Sequence, residues 1–229
     1  MNKMLISIII PAYNDSKSIE KLVEEVDLVT KKITNSYEIL IVNDGSKDDT
    51  QEVVSRLANK YKKLNFFIHK ENKGYGRTLK TLYENSKGDF VINLPGDAQI
   101  PAENIKKFME VGYDKDIVIG YRKKRMDSNR RKIYSFLYNL LISIIARKRV
   151  YDVHSAKRVS RKIFKNIKLK YENDFLDTEL VLRSIFNYYK IDNILINHKS
   201  REYGKEHGGN PKIIFSVISS LVKFLSDRK

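Results

Sequence analysis

Five short runs of branched and aromatic residues recur through the first 121 positions: LISIII at 5–10, YEILIV at 37–42, LNFFIH at 64–69, DFVINL at 89–94 and DIVIGY at 116–121. Longer stretches with helical spacing separate them. This alternation constrains the fold most, because strands joined through helices cross over and pair in parallel, and a parallel sheet must be covered on both faces. The expected architecture is therefore α/β, a three-layer α/β/α sandwich around a mainly parallel central sheet. The segment from Ser18 to Ile33 sets Ile19, Leu22, Val23, Val26, Val29 and Thr30 on one face, with acids early and lysines late as the helix dipole prefers. Ser16 is the expected cap of that helix. Residues 48–61 and 75–86 repeat the pattern, which lines up the carboxyl ends of the strands along one edge, where open α/β sheets bind ligands.

The chain has 229 residues, 41% of them hydrophobic and 31% charged, which provides for a packed core and excludes collagen-like, mucin-like and wholly disordered chains. After residue 121 the composition changes to a basic stretch, an apolar helical segment, a second basic stretch and mixed helix. No Pro/Gly/Ser linker intervenes, so 1–121 and 122–229 read as two halves of one domain. Without cysteine there is neither disulfide, thiolate metal site nor cysteine nucleophile. The run Leu5 to Ile10 ends at Pro11, too short for a signal-peptide core, and no stretch of about 18 apolar residues offers a membrane span. A formal charge of +16 favours polyanions, phosphorylated ligands or an acidic membrane face.

Four loops follow predicted strands: PAYND at 11–15, NDGSKDDT at 43–50, NKGYG at 72–76 and PGDAQIP at 95–101. Taken singly, each is an ordinary turn, since Asn, Asp and Gly stop strands and cap helices. Their shared edge changes the weighting. Asp15, Asp44 and Asp97 would face one crevice, where three carboxylates repel unless a cation or a donor-rich ligand joins them. A nucleotide with a divalent metal suits such a crevice.

In SIIIPAYND, EILIVNDGSKDDT, NKGYG, GDFVINLPGDAQIP and a series from GYR to REYG, the chain resembles family 2 glycosyltransferases of the GT-A fold, nearest the dolichyl- and polyprenyl-phosphate branch. The motifs occur in the family's order over nearly the whole chain, which is far more specific than any one of them. The resemblance implies an enzyme, an inverting glycosyltransferase that moves a sugar from a nucleoside diphosphate sugar (GDP-mannose or a UDP-sugar) to a polyprenyl or dolichyl phosphate. It places Pro11, Tyr13, Asp15, Asp44 and Gly74 around the donor nucleotide, with the Tyr13 ring as a flat wall and the carboxylates as acceptors. Where relatives carry Asp-x-Asp followed by Gln, this chain has Pro95, Asp97 and Gln99, so one acid is missing. Asp97 and Gln99 are the implied ligands of Mg²⁺ or Mn²⁺, bound more weakly than in relatives.

The same resemblance assigns Arg122 and Arg131 to the acceptor phosphate, and Arg201 and Lys205 to a loop over the donor diphosphate, with His207 where a Lys is usual. Guanidinium groups match phosphate oxygens in pairs. Asp152 fits a family position of the form Asp-x-x-Ser-Gly, with Ala156 in place of the Gly, and Glu179 matches an acid near the acceptor side; either also reads as a helix cap. A sugar-hydroxyl acceptor, the alternative substrate, would need a general base, for which Asp177 and Glu179 are the candidates; a catalytically silent nucleotide-binding homologue is the reading suggested by Pro95. His69, His154 and His198 lack metal-ligand spacing and read as structural. IYSFLYNLLISIIA, with RRK before it and RKR after it, reads as a helix lying in the surface of an acidic membrane or as a core helix, and the C-terminal KIIFSVISSLVKFLSDRK has the same character. The expected partners are the sugar nucleotide, the lipid phosphate and the cytoplasmic membrane face, with oligomeric state left open. Nucleic acid is excluded, because the basic residues are not interleaved with aromatic stacking platforms.

Overall fold

The computed structural model of the protein describes residues 4–122, 129–200 and 211–227. Strand β1 (Ile6–Ala12) is buried throughout, as its unbroken apolar run requires, and pairs in parallel with β2 (Tyr37–Asn43) on one side and β4 (Phe90–Asn93) on the other. With β3 (Leu64–Ile68), β5 (Ile117–Arg122), β6 (Lys157–Ser160) and β7 (Ile191–Ile196) they form a seven-stranded sheet in the order β3-β2-β1-β4-β6-β5-β7. Strand β6 alone runs antiparallel to its neighbours. The expected α/β sandwich with a mainly parallel sheet is the observed architecture.

Side chains alternate along a strand, so each strand feeds two cores. Ile8, Ile10, Ile39, Ile41 and Ile92 pack with helices α1 (Ile19–Ile33), α2 (Thr50–Lys60) and α4 (Asn104–Glu110). On the opposite face Ile9, Leu40, Val42 and Val91 pack with α3 (Tyr75–Asn85), α5 (Asn129–Ala146), α6 (Arg161–Asn166), α7 (Leu176–Phe186) and α8 (Pro211–Ser226). The five expected strands and three expected helices occur close to the positions read from the pattern. Ser16 is not the cap of α1: Ser18 occupies that position, and its hydroxyl donates to the carbonyls of Asp15 and Gly96.

Strand β6 carries no apolar signature because its first two residues are charged, yet both are buried. Lys157 Nζ meets Asp177 Oδ1 at 2.6 Å, with neither side chain accessible. Arg158 donates to the carbonyls of Phe108, Val111, Gly112 and Lys115 and lies over the Phe90 ring. Four carbonyls at the end of α4 thus supply what water would otherwise give the guanidinium.

The chain order around β1 positions the site. From β1 the chain crosses to β2 on one side, whereas β4 joins on the other, so successive loops diverge at the carboxyl ends of β1 and β4 and leave a crevice between them. Asp15 follows β1 and Asp97 follows β4.

Candidate active site

The crevice opens into a cavity of about 720 Å³ whose wall includes Pro11, Tyr13, Asp15, Asp44, Gly74, Asp97, Gln99 and Arg122. The three acids of separate loops therefore share one space, as their common edge predicts.

Each acid is held there by backbone chemistry. Asn14 takes a left-handed conformation, and Asp15 Oδ2 accepts from the Tyr13 N–H at 3.0 Å while the Asp15 N–H donates to Thr50 Oγ1 at 2.9 Å. The Asn14 N–H donates to Ser46 Oγ, and Lys47 N–H donates to Asn14 Oδ1, so the loops after β1 and β2 are laced together. Burial pushes the Asp48 carboxyl up, but hydrogen bonds from Thr50 and Ser16 outweigh it and hold the group below its ordinary value.

Asp44 is 3% exposed and is gripped by three donors: His69 Nδ1 at 2.6 Å and the Lys73 N–H at 3.0 Å on Oδ1, and the Gly74 N–H at 2.9 Å on Oδ2. Gly45 at φ +64° allows this approach, since a Cβ there would stand 2.4 Å from the Glu71 carbonyl carbon.

The acidic loop after β4 is anchored by the Gly96 N–H donating to the Pro11 carbonyl at 3.1 Å. A Cβ on Gly96 would lie 2.7 Å from Asp15 Oδ2, so this glycine lets two acids of different loops approach each other. Ala98 is left-handed, and Asp97 Oδ1 accepts from the Gln99 N–H at 3.1 Å. No group of three or more His, Cys, Asp or Glu is arranged for a metal among the described residues. Asp97 and Gln99 nevertheless present hard oxygen donors to the same cavity, a pair that fits Mg²⁺ or Mn²⁺ when phosphate oxygens and waters complete the shell. Pro95 contributes no such donor.

Across the cavity Arg122 forks onto Asp152, Nε to Oδ2 at 2.8 Å and Nη2 to Oδ1 at 3.1 Å. Arg131 belongs to the first turn of α5, and its side chain lies outside the described residues, as do Arg201, Lys205 and His207. The segment leading to Arg201 is tied to the acidic loop, because the Lys199 N–H donates to the Gln99 carbonyl at 2.8 Å.

The two candidate bases are displaced by the structure. Asp177 is sealed with Lys157, and Glu179, equally inaccessible, accepts from the Lys170 and Tyr171 N–H groups and from Arg183 Nε. Neither lines the cavity; each compensates buried donors. Asp174 and His154 do line it, and sequence spacing marked neither for a role in the site. Desolvation raises the Asp174 carboxyl above its ordinary value, and the surrounding protein lowers that of His154, whose ring stacks on Tyr138 with centroids 5.3 Å apart and faces the cavity. Asp174 lies in YENDF, just before the apolar helix α7, where nothing in the local sequence marks it for the cavity.

Tyr134 of α5 and Ile213, Ile214, Val217 and Ile218 of α8 add an apolar wall to the same cavity. That wall continues outward. Phe136, Leu137, Leu140 and Ile144 of α5 and Phe215 and Val222 of α8 are exposed, while only one seam of each helix, including Ile142 and Ala146 or Val217 and Leu221, reaches the core. No helix among the described residues is long and apolar enough to cross a membrane.

Residues 7–168 match the family model for glycosyl transferase family 2. The undecaprenyl-phosphate 4-deoxy-4-formamido-L-arabinose transferase of Yersinia enterocolitica is 28% identical over 214 residues, 91% of this chain and 64% of the relative. The enzyme of the same name from Pseudomonas savastanoi is 29% identical over 206 residues, 87% of this chain and 59% of the relative. The chain thus spans less than two thirds of the length of these curated relatives. Among solved structures, glucosyl-3-phosphoglycerate synthase from Mycobacterium tuberculosis, in complex with Mn²⁺, UDP and phosphoglyceric acid, superposes with a TM-score of 0.75 at 14% identity, covering 96% of this chain and 78% of that one. At that identity the likeness concerns the fold.

Proposed function

Because this chain belongs to glycosyl transferase family 2, we propose that it transfers a sugar, with inversion, from a nucleoside diphosphate sugar to a polyprenyl phosphate at a membrane surface. The observation that carries this reading is a cavity lined both by the acids of the strand-end loops and by apolar residues of α5 and α8, two helices that also expose apolar side chains. A sugar nucleotide matches the acidic lining and an isoprenoid phosphate the apolar one. The names of the curated relatives and the Mn²⁺ and UDP bound by the structural neighbour support the same assignment.

In this reading Pro11, Tyr13, Asp15, Asp44 and Gly74 receive the nucleoside. Asp97 and Gln99 would hold a divalent ion, which supplies positive charge to the departing diphosphate when bound. Arg201 and Lys205 close on that diphosphate, and Arg122 and Arg131 orient the acceptor phosphate. The two halves of the domain, 1–121 and 122–229, would serve donor and acceptor respectively. A lipid phosphate is already an anion and needs no strong base, so rate comes from alignment and from stabilising the leaving charge. A hydroxyl acceptor is the second reading, favoured by Asp174, whose raised carboxyl in the cavity suits a general base.

The exposed faces of α5 and α8 would lie in the headgroup region, with Arg147, Lys148 and Arg149 against anionic lipid. Incubation with radiolabelled UDP- or GDP-sugars, Mn²⁺ and vesicles containing polyprenyl phosphate tests the assignment. Label extracted into organic solvent supports it; label confined to water-soluble glycan supports the hydroxyl reading; no transfer from any donor refutes both.

A further inference from the structure

We infer that His69 is a positioning residue of the donor pocket, acting through Asp44; the inference rests on the nucleotide-donor reading above. His69 follows β3, is 9% exposed, and is fixed to the end of β2 by its N–H donating to the Asn43 carbonyl at 3.0 Å. Its Nδ1 lies 2.6 Å from Asp44 Oδ1, and its Nε2 lies 3.3 Å from Thr81 Oγ1 on α3. An ionised carboxylate only accepts, so Nδ1 carries a proton and the imidazole is a donor to Asp44. The Thr81 hydroxyl, which also reaches the Arg77 carbonyl at 3.1 Å, meets Nε2 and fixes the ring plane from the α3 side.

The consequence is a definite orientation of Asp44. Oδ1 is filled by His69 Nδ1 and the Lys73 N–H, and Oδ2 takes the Gly74 N–H, which among the described residues leaves one acceptor position on Oδ2. Asp44 and Gly74 both line the cavity. His69 thus holds the carboxylate so that it grips the 72–76 loop, and it reserves one oxygen position for a donor N–H or O–H of the ligand. Without the Nδ1 donor, Asp44 would turn toward another donor, and the loop N–H groups would lose their acceptor.

The test compares His69→Asn, whose amide nitrogen falls where Nδ1 stood, with His69→Gln, whose nitrogen falls near Nε2. UDP and GDP binding is measured by calorimetry on the wild type and both variants, beside melting temperature and the KM for polyprenyl phosphate. Loss of one charge-assisted hydrogen bond should raise the nucleotide Kd of His69→Gln about tenfold or more. His69→Asn should bind like the wild type, with lipid KM unchanged in both and any fall in melting temperature confined to His69→Gln. Equal binding by all three proteins, or equal loss in both variants, overturns the role assigned to the Nδ1 donor. If the wild type itself binds neither nucleotide, the donor reading fails and this inference falls with it.

Discussion

Lys157→Met tests the energetics beneath the cavity. The pair of Lys157 Nζ and Asp177 Oδ1 stands at 2.6 Å with both side chains inaccessible, and Asp177 Oδ2 has no hydrogen-bond partner among the described residues. The carboxylate therefore depends on Lys157 for most of its compensation. Removing one member of a buried pair strands the other charge, which costs about 3–5 kcal/mol. In a domain of this size each kcal/mol lowers Tm by about 2–4 °C, so the variant should melt roughly 6–20 °C below the wild type. The double variant Lys157→Met/Asp177→Leu removes both charges and should recover most of that loss, since well-packed apolar replacements of buried pairs are often neutral or stabilising. Urea and thermal denaturation of the four proteins gives the coupling. A single variant that loses under about 1 kcal/mol, or a double variant no more stable than the single ones, would refute the buried-pair account. The double variant also addresses Asp177 as a base: a folded protein that still glycosylates lipid leaves Asp177 with a structural role only.

Other expectations follow from the same geometry. Asp97→Ala should leave Tm nearly unchanged, because the residue is half-buried on a loop, yet slow transfer by roughly 2–4 kcal/mol of barrier in a turnover assay. Gly96→Ala places a methyl 2.7 Å from Asp15 Oδ2 and should cost about 1–3 kcal/mol by overpacking while weakening nucleotide binding, seen by calorimetry. For Asp174 the raised native value means that its contribution to stability is fully present below the unfolded-state value and is lost as pH rises through the native one. Asp174→Asn should accordingly raise Tm at pH 7 and match the wild type at pH 3, where both side chains are neutral. Leu137→Glu with Leu140→Glu should abolish co-sedimentation with anionic vesicles and leave nucleotide binding intact, since both side chains are exposed on α5.

The legible part of the fold was the part written in apolar periodicity. Strands such as ISIIIPA and YEILIVN are buried on both faces, and their composition declares it. Strand β6 was invisible because Lys157 and Arg158 are satisfied internally by Asp177 and by four carbonyls, a tertiary arrangement that no local pattern encodes. Strand β7, at the sheet edge, breaks its apolar run with the adjacent polar pair Asp192 and Asn193, which dilutes its signal. In the site, the turn acids could be found because Asn, Asp and Gly mark strand ends and parallel order aligns those ends. Asp174 and His154 could not, since their place in the cavity depends on how α7 and the 150–156 segment pack across the sheet. Asp177 and Glu179 misled for the converse reason: acids in a first helical turn look available, but here each compensates buried donors.

Asp15, Asp44 and Asp97 line one cavity and are proposed to serve one ligand. A crystal structure of the protein with UDP or GDP and Mn²⁺ measures this directly. The account predicts the nucleoside between Tyr13 and Asp44, with Mn²⁺ and the diphosphate against Asp97 and Gln99. A nucleotide seated elsewhere, or a diphosphate pointing away from Asp97, would contradict it.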